Sequence, residues 1–396
     1  MQPTVMSMEG MAAPFDFQPR TRLVFGVNAV ERAGEIVREL GVQKVLLVTD
    51  PGLAAAGHEQ HALKSLAADG VRVVVFDQVR ENPTTKCVED CLAVAKAAGI
   101  EAIIGLGGGS SMDTAKGCNF LLTNGGRMQD YWGVGKATKP MLPLIAIPTT
   151  AGTGSECQSA ALIADEVTHQ KMACLDPKAA ARVAILDPAL TVSMPARVTA
   201  CTGIDAIAHA VETAVTRKRN PLSQMFSREA FKLLAPNFSR VIENPDDLEA
   251  RGQMLLGAAF AGTAIENSML GAAHAAANPL SAHYGIVHGQ AVGMMLPHVI
   301  RFNAENEMAR RAYAELAAAP EIACVSDGID QAVEALVREI QTLLELAKLP
   351  STLGDCGVRQ KDLPLLAAEA AKQWTAAFNP RAVTEKDFLA LYEAAF

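Results

Sequence analysis

The chain has 396 residues, of which half are hydrophobic and one fifth charged, and its formal net charge at pH 7 is −8. This length is sufficient for two domains with hydrophobic cores of their own, and the negative charge argues against non-specific binding to nucleic acid. The sequence contains no run of about twenty apolar residues, so no membrane-spanning helix is predicted.

The segment Met1 to Arg20 lacks a basic stretch followed by an apolar one, so we predict no signal peptide but a loose leader before Phe17. Eight cysteines are scattered along the chain without a Cys-x-x-Cys motif. Their spacing fits neither a zinc ribbon nor a disulfide framework. We therefore predict buried free thiols and a cytoplasmic protein.

The first half of the sequence alternates short apolar strands with helical patterns such as 29–40. The predicted strands cover residues 44–50, 71–76, 102–106, 141–147 and 183–186. Such alternation predicts a parallel sheet covered by helices on both faces, and sheets of this kind place ligands at the carboxyl ends of their strands. We therefore predict an α/β dinucleotide-binding domain over residues 1–190.

Asp50, at the end of the first predicted strand, is a candidate to bind a ribose hydroxyl of the cofactor. A carboxylate at this position would repel the extra phosphate of NADP and so favours NAD. The alternative is a turn or helix-capping role before Pro51. Asn82 lies in another turn after a strand, Asn-Pro-Thr, whose polar groups could also face a ligand.

A glycine-rich loop, Gly105-Leu-Gly-Gly-Gly-Ser-Ser-Met-Asp-Thr-Ala-Lys116, follows the third strand and begins a helix. Consecutive glycines allow backbone N–H groups to approach an anion, and the helix N-terminus adds positive potential. A pyrophosphate is the expected ligand, although the loop differs from the Gly-x-Gly-x-x-Gly and Walker motifs. The alternative is a tight turn that binds nothing.

The loop Pro148-Thr-Thr-Ala-Gly-Thr-Gly-Ser-Glu156 also follows a strand directly. Its glycines and small hydroxyl residues, Thr153 among them, allow a ligand to lie against the backbone. A solvated linker would carry more charge than this loop does, so we predict that it contributes to the binding site.

Beyond about residue 190 the strand patterns stop and Ala- and Leu-rich helical patterns follow. The predicted helices cover 199–216, 221–234, 247–262, 264–278, 329–348, 362–373 and 385–394. We therefore predict an all-α second domain over residues 191–396.

This second half contains a candidate metal site. Asp205 and His209 are four residues apart and so lie on one face of a helix. His274 and His288 follow later, and Gly285 together with a proline at 279 is expected to interrupt the segment between them. One carboxylate and three imidazoles in apolar surroundings can form the shell of a catalytic divalent cation. The alternatives are a surface or capping Asp–His pair and satisfied core histidines.

Taken together, these motifs resemble the iron-containing (group III) alcohol dehydrogenases, which are related in fold to glycerol dehydrogenase and dehydroquinate synthase. The resemblance covers the chain from Phe25 to Ala395. It is most specific in Gly107–Ser110 with Asp113 and Lys116, in 148–156, in 203–209 and in 274–289. It implies a nucleotide-binding domain and a helical domain, with the metal and the substrate in the cleft between them.

The resemblance also implies roles for individual residues and a homodimer or larger assembly. It makes Asp205, His209, His274 and His288 the metal ligands, and it places NAD(P) contacts at Asp50, Gly108, Gly109, Ser110, Asp113, Thr149, Thr150 and Lys171. The donor set suits Fe²⁺ and Zn²⁺ similarly well, and the family resemblance favours iron.

One position departs from the family pattern. Asn278 stands where many members have a histidine with a proton-relay or nicotinamide-positioning role. Asn278 can hydrogen-bond but cannot titrate, so that role is in doubt here. His283 could replace that histidine, or it could be a core histidine.

The sequence therefore predicts a metal-dependent NAD(H) alcohol dehydrogenase that interconverts alcohols with aldehydes or ketones. Hydride would leave from a metal-bound alkoxide. One alternative is a hydroxyacid–oxoacid transhydrogenase that retains its nucleotide. Another is a non-catalytic protein that binds metal or nucleotide.

Overall fold

The computed structural model describes residues 14–396 except positions 169, 325 and 327, so most of the predicted leader lies outside the described residues. The strands of the first half are β1 Arg22–Phe25, β2 Lys44–Val48, β3 Arg72–Phe76, β4 Ala102–Gly107, β5 Gly133–Val134, β6 Leu144–Pro148, β7 Ala160–Ala164, β8 Lys171–Leu175 and β9 Val183–Leu186. Its helices are α1 Ala33–Glu39, α2 Pro51–Ala55, α3 His58–Ala68, α4 Thr85–Ala98 and α5 Gly109–Asn124.

Six of these strands form one parallel sheet in the order β1-β9-β6-β4-β2-β3. The strands β4, β6 and β9 are buried along their whole length, because helices cover both faces of the sheet. The predicted parallel α/β sheet is thus confirmed. Since β2, β4 and β6 are neighbours, the loops that follow them meet at one edge of the sheet.

A second sheet, in the order β5-β8-β7, was not predicted from the sequence. Its strands β7 (Ala-Ala-Leu-Ile-Ala) and β8 (Lys-Met-Ala-Cys-Leu) pair antiparallel. They contain a single β-branched residue, Ile163, and therefore have a weak strand signal. The small residues from Cys157 to Ala161 lead into β7 and include its first two residues.

Among its described residues, the second half contains helices joined by loops and no strands, as predicted. Its helices are α6 Ala196–Val215, α7 Pro221–Glu243, α8 Leu248–Glu266, α9 Ala272–Tyr284, α10 His288–Asn303, α11 Glu307–Ala318, α12 Ile329–Leu346, α13 Leu363–Ala370 and α14 Glu385–Ala394. Helix α6 is central, since nearly all its residues from 199 to 215 are buried. The predicted domain boundary at residue 190 stays a prediction.

Several helix limits differ from the prediction. The pattern at 264–278 spans the end of α8 and the start of α9, which are separate helices. The expected interruption at Pro279 is wrong, because α9 continues through it to Gly285, whose φ of +63° ends the helix. Helix α7 likewise continues through Pro236. A proline removes one backbone donor inside a helix, and tertiary packing outweighs that loss here.

All eight cysteines are unpaired; six are buried, Cys356 is partly buried and Cys324 is exposed. The prediction of free thiols is confirmed, whereas their complete burial is not. No helix among the described residues is both long and apolar enough to span a bilayer.

Candidate metal centre and nucleotide site

The four predicted metal ligands come from three helices of the second half. Asp205 and His209 lie one turn apart on α6. His274 lies in the first turn of α9, and His288 is the first residue of α10. Because Gly285 ends α9 in a left-handed conformation, the chain changes direction there before α10 begins.

All three imidazoles direct their Nε2 atom toward one carboxylate oxygen, Asp205 Oδ1. The distances to this oxygen are 3.4 Å from His274, 3.6 Å from His209 and 3.8 Å from His288. Three of the four residues are more than nine-tenths buried, whereas the His288 side chain is 37 % exposed. The structure thus brings the four predicted residues together, with His288 on the solvent side.

These distances fit a shared metal ion. Two donors that each lie about 2.1 Å from a tetrahedral ion are about 3.4 Å apart, which is close to the observed separations. Asp205 Oδ1 and His274 Nε2 are buried and have no hydrogen-bond partner. Leaving such groups unsatisfied costs about 1–3 kcal/mol each. A divalent cation would supply the missing interaction, and donors of this kind suit Fe²⁺ or Zn²⁺.

The charges in the cluster favour the binding of a positive charge, either a metal cation or a proton on His274. Burial by itself would raise the pKa of Asp205, but the surrounding imidazoles hold it well below its ordinary value. Burial lowers the pKa of His209. Burial also opposes protonation of His274, but Glu212 and Asp205 outweigh it and raise the pKa of His274 to about 9. Asp205 is therefore ionised, which is the form that binds metal.

The glycine-rich loop leaves backbone donors free at the start of α5. Gly108 is the N-cap of this helix, and no side chain caps it, so its first N–H groups are available to an anion. A Cβ on Gly109 would lie 2.9 Å from Thr153 Cγ2, so that position requires glycine. The buried Ser111 Oγ has no hydrogen-bond partner.

The loop after β6 packs against this glycine-rich loop. Thr149 N donates to the Gly107 carbonyl at 3.0 Å, and a Cβ on Gly108 would meet Thr150 Cγ2 at 3.4 Å. Five of the predicted nucleotide contacts (Gly108, Gly109, Thr149, Thr150 and Thr153) therefore share one surface.

A buried lysine fixes this arrangement. Lys116 Nζ donates to the carbonyl and to Oγ of Ser155 at 2.7 and 2.8 Å, and to the Ala160 carbonyl at 3.0 Å. Ser155 Oγ in turn donates to Asp113 Oδ1 at 3.2 Å. Burial raises the pKa of Asp113. Asp113 is thus part of the scaffold that joins α5 to the 148–156 loop.

Three further candidates meet at the mouth of the same surface. Asn82 has a left-handed backbone, with φ of +52°, and its N–H donates to Ser110 Oγ at 3.3 Å. Lys171 Nζ donates to Asn82 Oδ1 at 3.5 Å. The turn after β3, the start of α5 and the start of β8 therefore converge.

Asp50 is the N-cap of α2. Its Oδ1 accepts hydrogen bonds from Gly52 N at 2.9 Å and Leu53 N at 3.1 Å. The capping alternative is therefore observed. Both capping hydrogen bonds go to Oδ1, so Asp50 Oδ2 can still accept a hydrogen bond from a ribose hydroxyl.

Of the two candidate catalytic residues, Asn278 lies in the middle of α9 and His283 lies near its C-terminal end. Asn278 follows His274 by one helical turn, and its Nδ2 donates to Gln373 Oε1 at 3.0 Å. His283 pairs with Glu369 at 2.8 Å in an exposed position. It lies nine residues beyond His274, which is roughly 14 Å along the helix axis, so the structure does not bring His283 into the cluster.

Sequence reasoning missed Glu212, a buried carboxylate that contacts His274 Nδ1 at 2.6 Å. A signal was present, because Glu212 lies three residues after His209 and so belongs to the helix face that also carries Asp205.

The chain is similar to known iron-containing alcohol dehydrogenases over nearly its whole length. Residues 19–188 match the family described as iron-containing alcohol dehydrogenase, and residues 199–396 match the C-terminal part of the Fe-containing alcohol dehydrogenase family. The chain is 34 % identical over 364 residues to an NAD-dependent methanol dehydrogenase of Bacillus methanolicus, which covers 92 % of this chain and 95 % of that protein.

Solved structures agree in fold. A crystal structure of 1,3-propanediol oxidoreductase superposes with a TM-score of 0.93 at 34 % identity, covering 97 % of this chain and 100 % of the other. Sulfoacetaldehyde reductase from Bifidobacterium kashiwanohense, in complex with NAD⁺, superposes with a TM-score of 0.87 at 26 % identity, covering 97 % and 99 % of the two chains.

Proposed function

The chain belongs to the iron-containing alcohol dehydrogenase family and is an NAD-dependent alcohol oxidoreductase, and we propose that it interconverts small alcohols with aldehydes or ketones at a divalent cation. One observation carries the proposal. Three imidazole Nε2 atoms lie within 3.8 Å of a single carboxylate oxygen that is buried without a hydrogen-bond partner.

The proposed ligands are Asp205, His209, His274 and His288. When bound, the cation supplies Lewis acidity at the substrate oxygen, and NAD accepts or returns the hydride. The family favours Fe²⁺ as the ion, and the same donors suit Zn²⁺. His288, as the most exposed of the four, borders the side from which a substrate can approach.

The first half of the chain is proposed to hold the dinucleotide. Its pyrophosphate would lie on the free N–H groups at the start of α5, and Thr149, Thr150 and Thr153 would border it. Burial is the main cause that lowers the pKa of His288, and the positive charge of Lys171 lowers it further. Lys171 is therefore near the proposed metal centre, and we propose that Lys171 and its partner Asn82 contact the part of NAD nearest the metal. Asp50 is proposed to accept a ribose hydroxyl and to select NAD over NADP.

Asn278 is proposed to position the substrate or the nicotinamide by hydrogen bonding. Its carboxamide is already oriented by Gln373, and it cannot titrate. His283 lies roughly 14 Å from His274 along the axis of α9 and pairs with Glu369, so no proton-transfer role is proposed for it.

We also infer a cytoplasmic homodimer or larger assembly. Eight unpaired thiols are consistent with a reducing compartment. Strand β1 is an edge strand of the main sheet and carries the exposed side chains Leu23 and Phe25, which offers a surface for self-association. Light scattering on the purified protein tests the assembly.

Metal analysis joined to a panel of alcohols and aldehydes, under anaerobic conditions with Fe²⁺ supplied, tests the function. We expect bound metal and alcohol-dependent formation of NADH. Asp205→Ala and His274→Ala should lose both while circular dichroism stays native, and His61→Ala, at an exposed position of α3, should lose neither. Retained metal and activity in Asp205→Ala would overturn the ligand assignment. Bound metal without turnover on any substrate would indicate a binding protein instead.

A further inference from the structure

Glu212 lies beside the proposed metal centre and contacts the proposed ligand His274, but it is not itself a proposed ligand. It follows His209 by one turn on α6 and is 3 % exposed. Burial of a carboxylate is unfavourable unless hydrogen bonds or opposite charges compensate for it, so its partners indicate what it does.

Glu212 receives three hydrogen bonds, all from the start of α9. Its Oε1 accepts from Ala273 N at 2.7 Å. Its Oε2 accepts from Gly271 N at 3.1 Å and from His274 Nδ1 at 2.6 Å. One side chain of α6 thus satisfies two backbone donors at the N-terminus of α9 and one ring nitrogen of a proposed ligand.

These contacts determine which nitrogen of His274 can bind a metal. A carboxylate that already accepts two backbone N–H groups acts as an acceptor, so His274 Nδ1 must carry the proton in their bond. In a neutral ring the other nitrogen, Nε2, then presents its lone pair. Nε2 is the buried atom without a hydrogen-bond partner that lies 3.4 Å from Asp205 Oδ1.

We propose that Glu212 is a positioning residue that fixes the metal-binding tautomer and the orientation of His274, and that couples the two ligand-bearing helices α6 and α9. This inference rests on the proposed function, because it assumes a cation among the four ligands. It adds a requirement for a residue that does not touch the cation. Partners of this kind typically change metal affinity by about 10- to 100-fold.

Asn379 provides a matched control. Its Oδ1 accepts from Ala272 N at 3.3 Å, so it supports the same helix start. It otherwise bonds to Asn303 and to the Arg381 carbonyl, and it makes no hydrogen bond to His274. Loss of Asn379 therefore weakens the support of α9 without removing the acceptor of Nδ1.

The test measures Zn²⁺ affinity by competition with a chromophoric chelator. Glu212→Gln places an NH₂ group against N–H donors and is expected to weaken Zn²⁺ binding by roughly 10- to 100-fold, whereas Glu212→Asp, which keeps the carboxylate, should recover part of the affinity. Asn379→Ala should lower the unfolding midpoint while Zn²⁺ affinity stays within about threefold of wild type, a smaller change than a lost orienting partner produces. Equal affinity in Glu212→Gln and wild type would overturn the inference.

A second measurement needs no variant at position 212 and therefore stands even if Glu212→Gln fails to fold. Long-range ¹H–¹⁵N spectra of the Zn²⁺-loaded wild type should show His274 protonated on Nδ1, and an unprotonated Nδ1 would refute the role. Zn²⁺ binding by wild type and its loss in His274→Ala test the metal site itself. If wild type binds Zn²⁺ and only the Glu212 results are negative, the proposed function stands; if wild type binds none, both proposals fail.

Discussion

Replacing Gly289 with alanine is expected to push α10 away from α6 and thereby to displace His288. A Cβ at this position would lie 2.0 Å from the Cys201 carbonyl oxygen, 2.8 Å from its carbonyl carbon and 3.1 Å from Asp205 Cβ. The clash is with backbone and cannot be relieved by a rotamer change. Since real contacts of this kind are not shorter than 3.0 Å, the two helices must separate by about 1 Å.

This displacement has two measurable consequences. Overpacking of a close helix contact destabilises proteins by about 1–3 kcal/mol, which urea denaturation in the presence of a chelator can measure. Metal–ligand distances tolerate only about 0.2 Å, so a shift of about 1 Å should remove His288 from the shell. We expect Zn²⁺ affinity to fall by at least roughly 10- to 100-fold, the loss caused by weaker perturbations of such sites.

Gly293 offers a matched comparison one turn further along α10. A Cβ there would lie 2.5 Å from Ile204 Cγ2 and 2.9 Å from Leu344 Cδ2, which are ends of side chains rather than backbone. Gly293→Ala should therefore lower stability without a comparable loss of Zn²⁺ affinity. Wild-type affinity and stability in Gly289→Ala would refute the argument from backbone contact.

Three further variants test the nucleotide and substrate regions. Burial raises the pKa of Glu156 to about 7. The folded chain therefore keeps this proton to higher pH than the unfolded chain does, and stability should fall as pH rises from about 4.5 to about 7. Glu156→Gln should lack this loss, so that its unfolding free energy in urea gains up to about 3 kcal/mol over wild type between pH 4 and pH 8. Parallel curves of unfolding free energy against pH for Glu156→Gln and wild type would contradict this prediction. Asp50→Ser keeps a helix cap but removes the charge, and should raise the kcat/KM ratio for NADP over NAD; an unchanged ratio would leave Asp50 as a cap alone. Asn278→His should add an ionisation near pH 6.5 to the pH dependence of kcat/KM, and an unaltered profile would place residue 278 outside the reaction.

The parts of the fold that could be predicted from sequence are those in which local composition and burial agree. Strands β2, β4 and β9 are runs of Val, Ile and Leu that are buried in the parallel sheet, and their limits were predicted to within two residues. Helix α10 was missed because Gly289, Gly293 and Pro297 weaken its helical pattern. Two of these residues allow its close approach to α6, and that packing cannot be recognised from one sequence.

The candidate site shows the same limit. Residue type and spacing are sufficient to single out Asp205, His209, His274 and His288 as candidate ligands. Their convergence depends on how α6, α9 and α10 pack, which distance along the chain does not specify. Glu212 and Lys116 act through buried hydrogen bonds to residues distant in sequence. Spacing places Glu212 on the helix face of Asp205, but it does not identify the hydrogen-bond partners of either residue.

The proposed metal ligands all lie between residues 205 and 288, whereas the proposed nucleotide contacts other than Asn278 all lie between residues 50 and 171. All the proposed metal ligands therefore come from helices α6, α9 and α10, and none comes from the parallel sheet. Release of the nucleotide would remove none of the proposed metal ligands, so one bound cation would serve successive catalytic cycles. Protein from which the nucleotide has been removed by dialysis should therefore retain its metal, and the metal and the nucleotide should bind in either order.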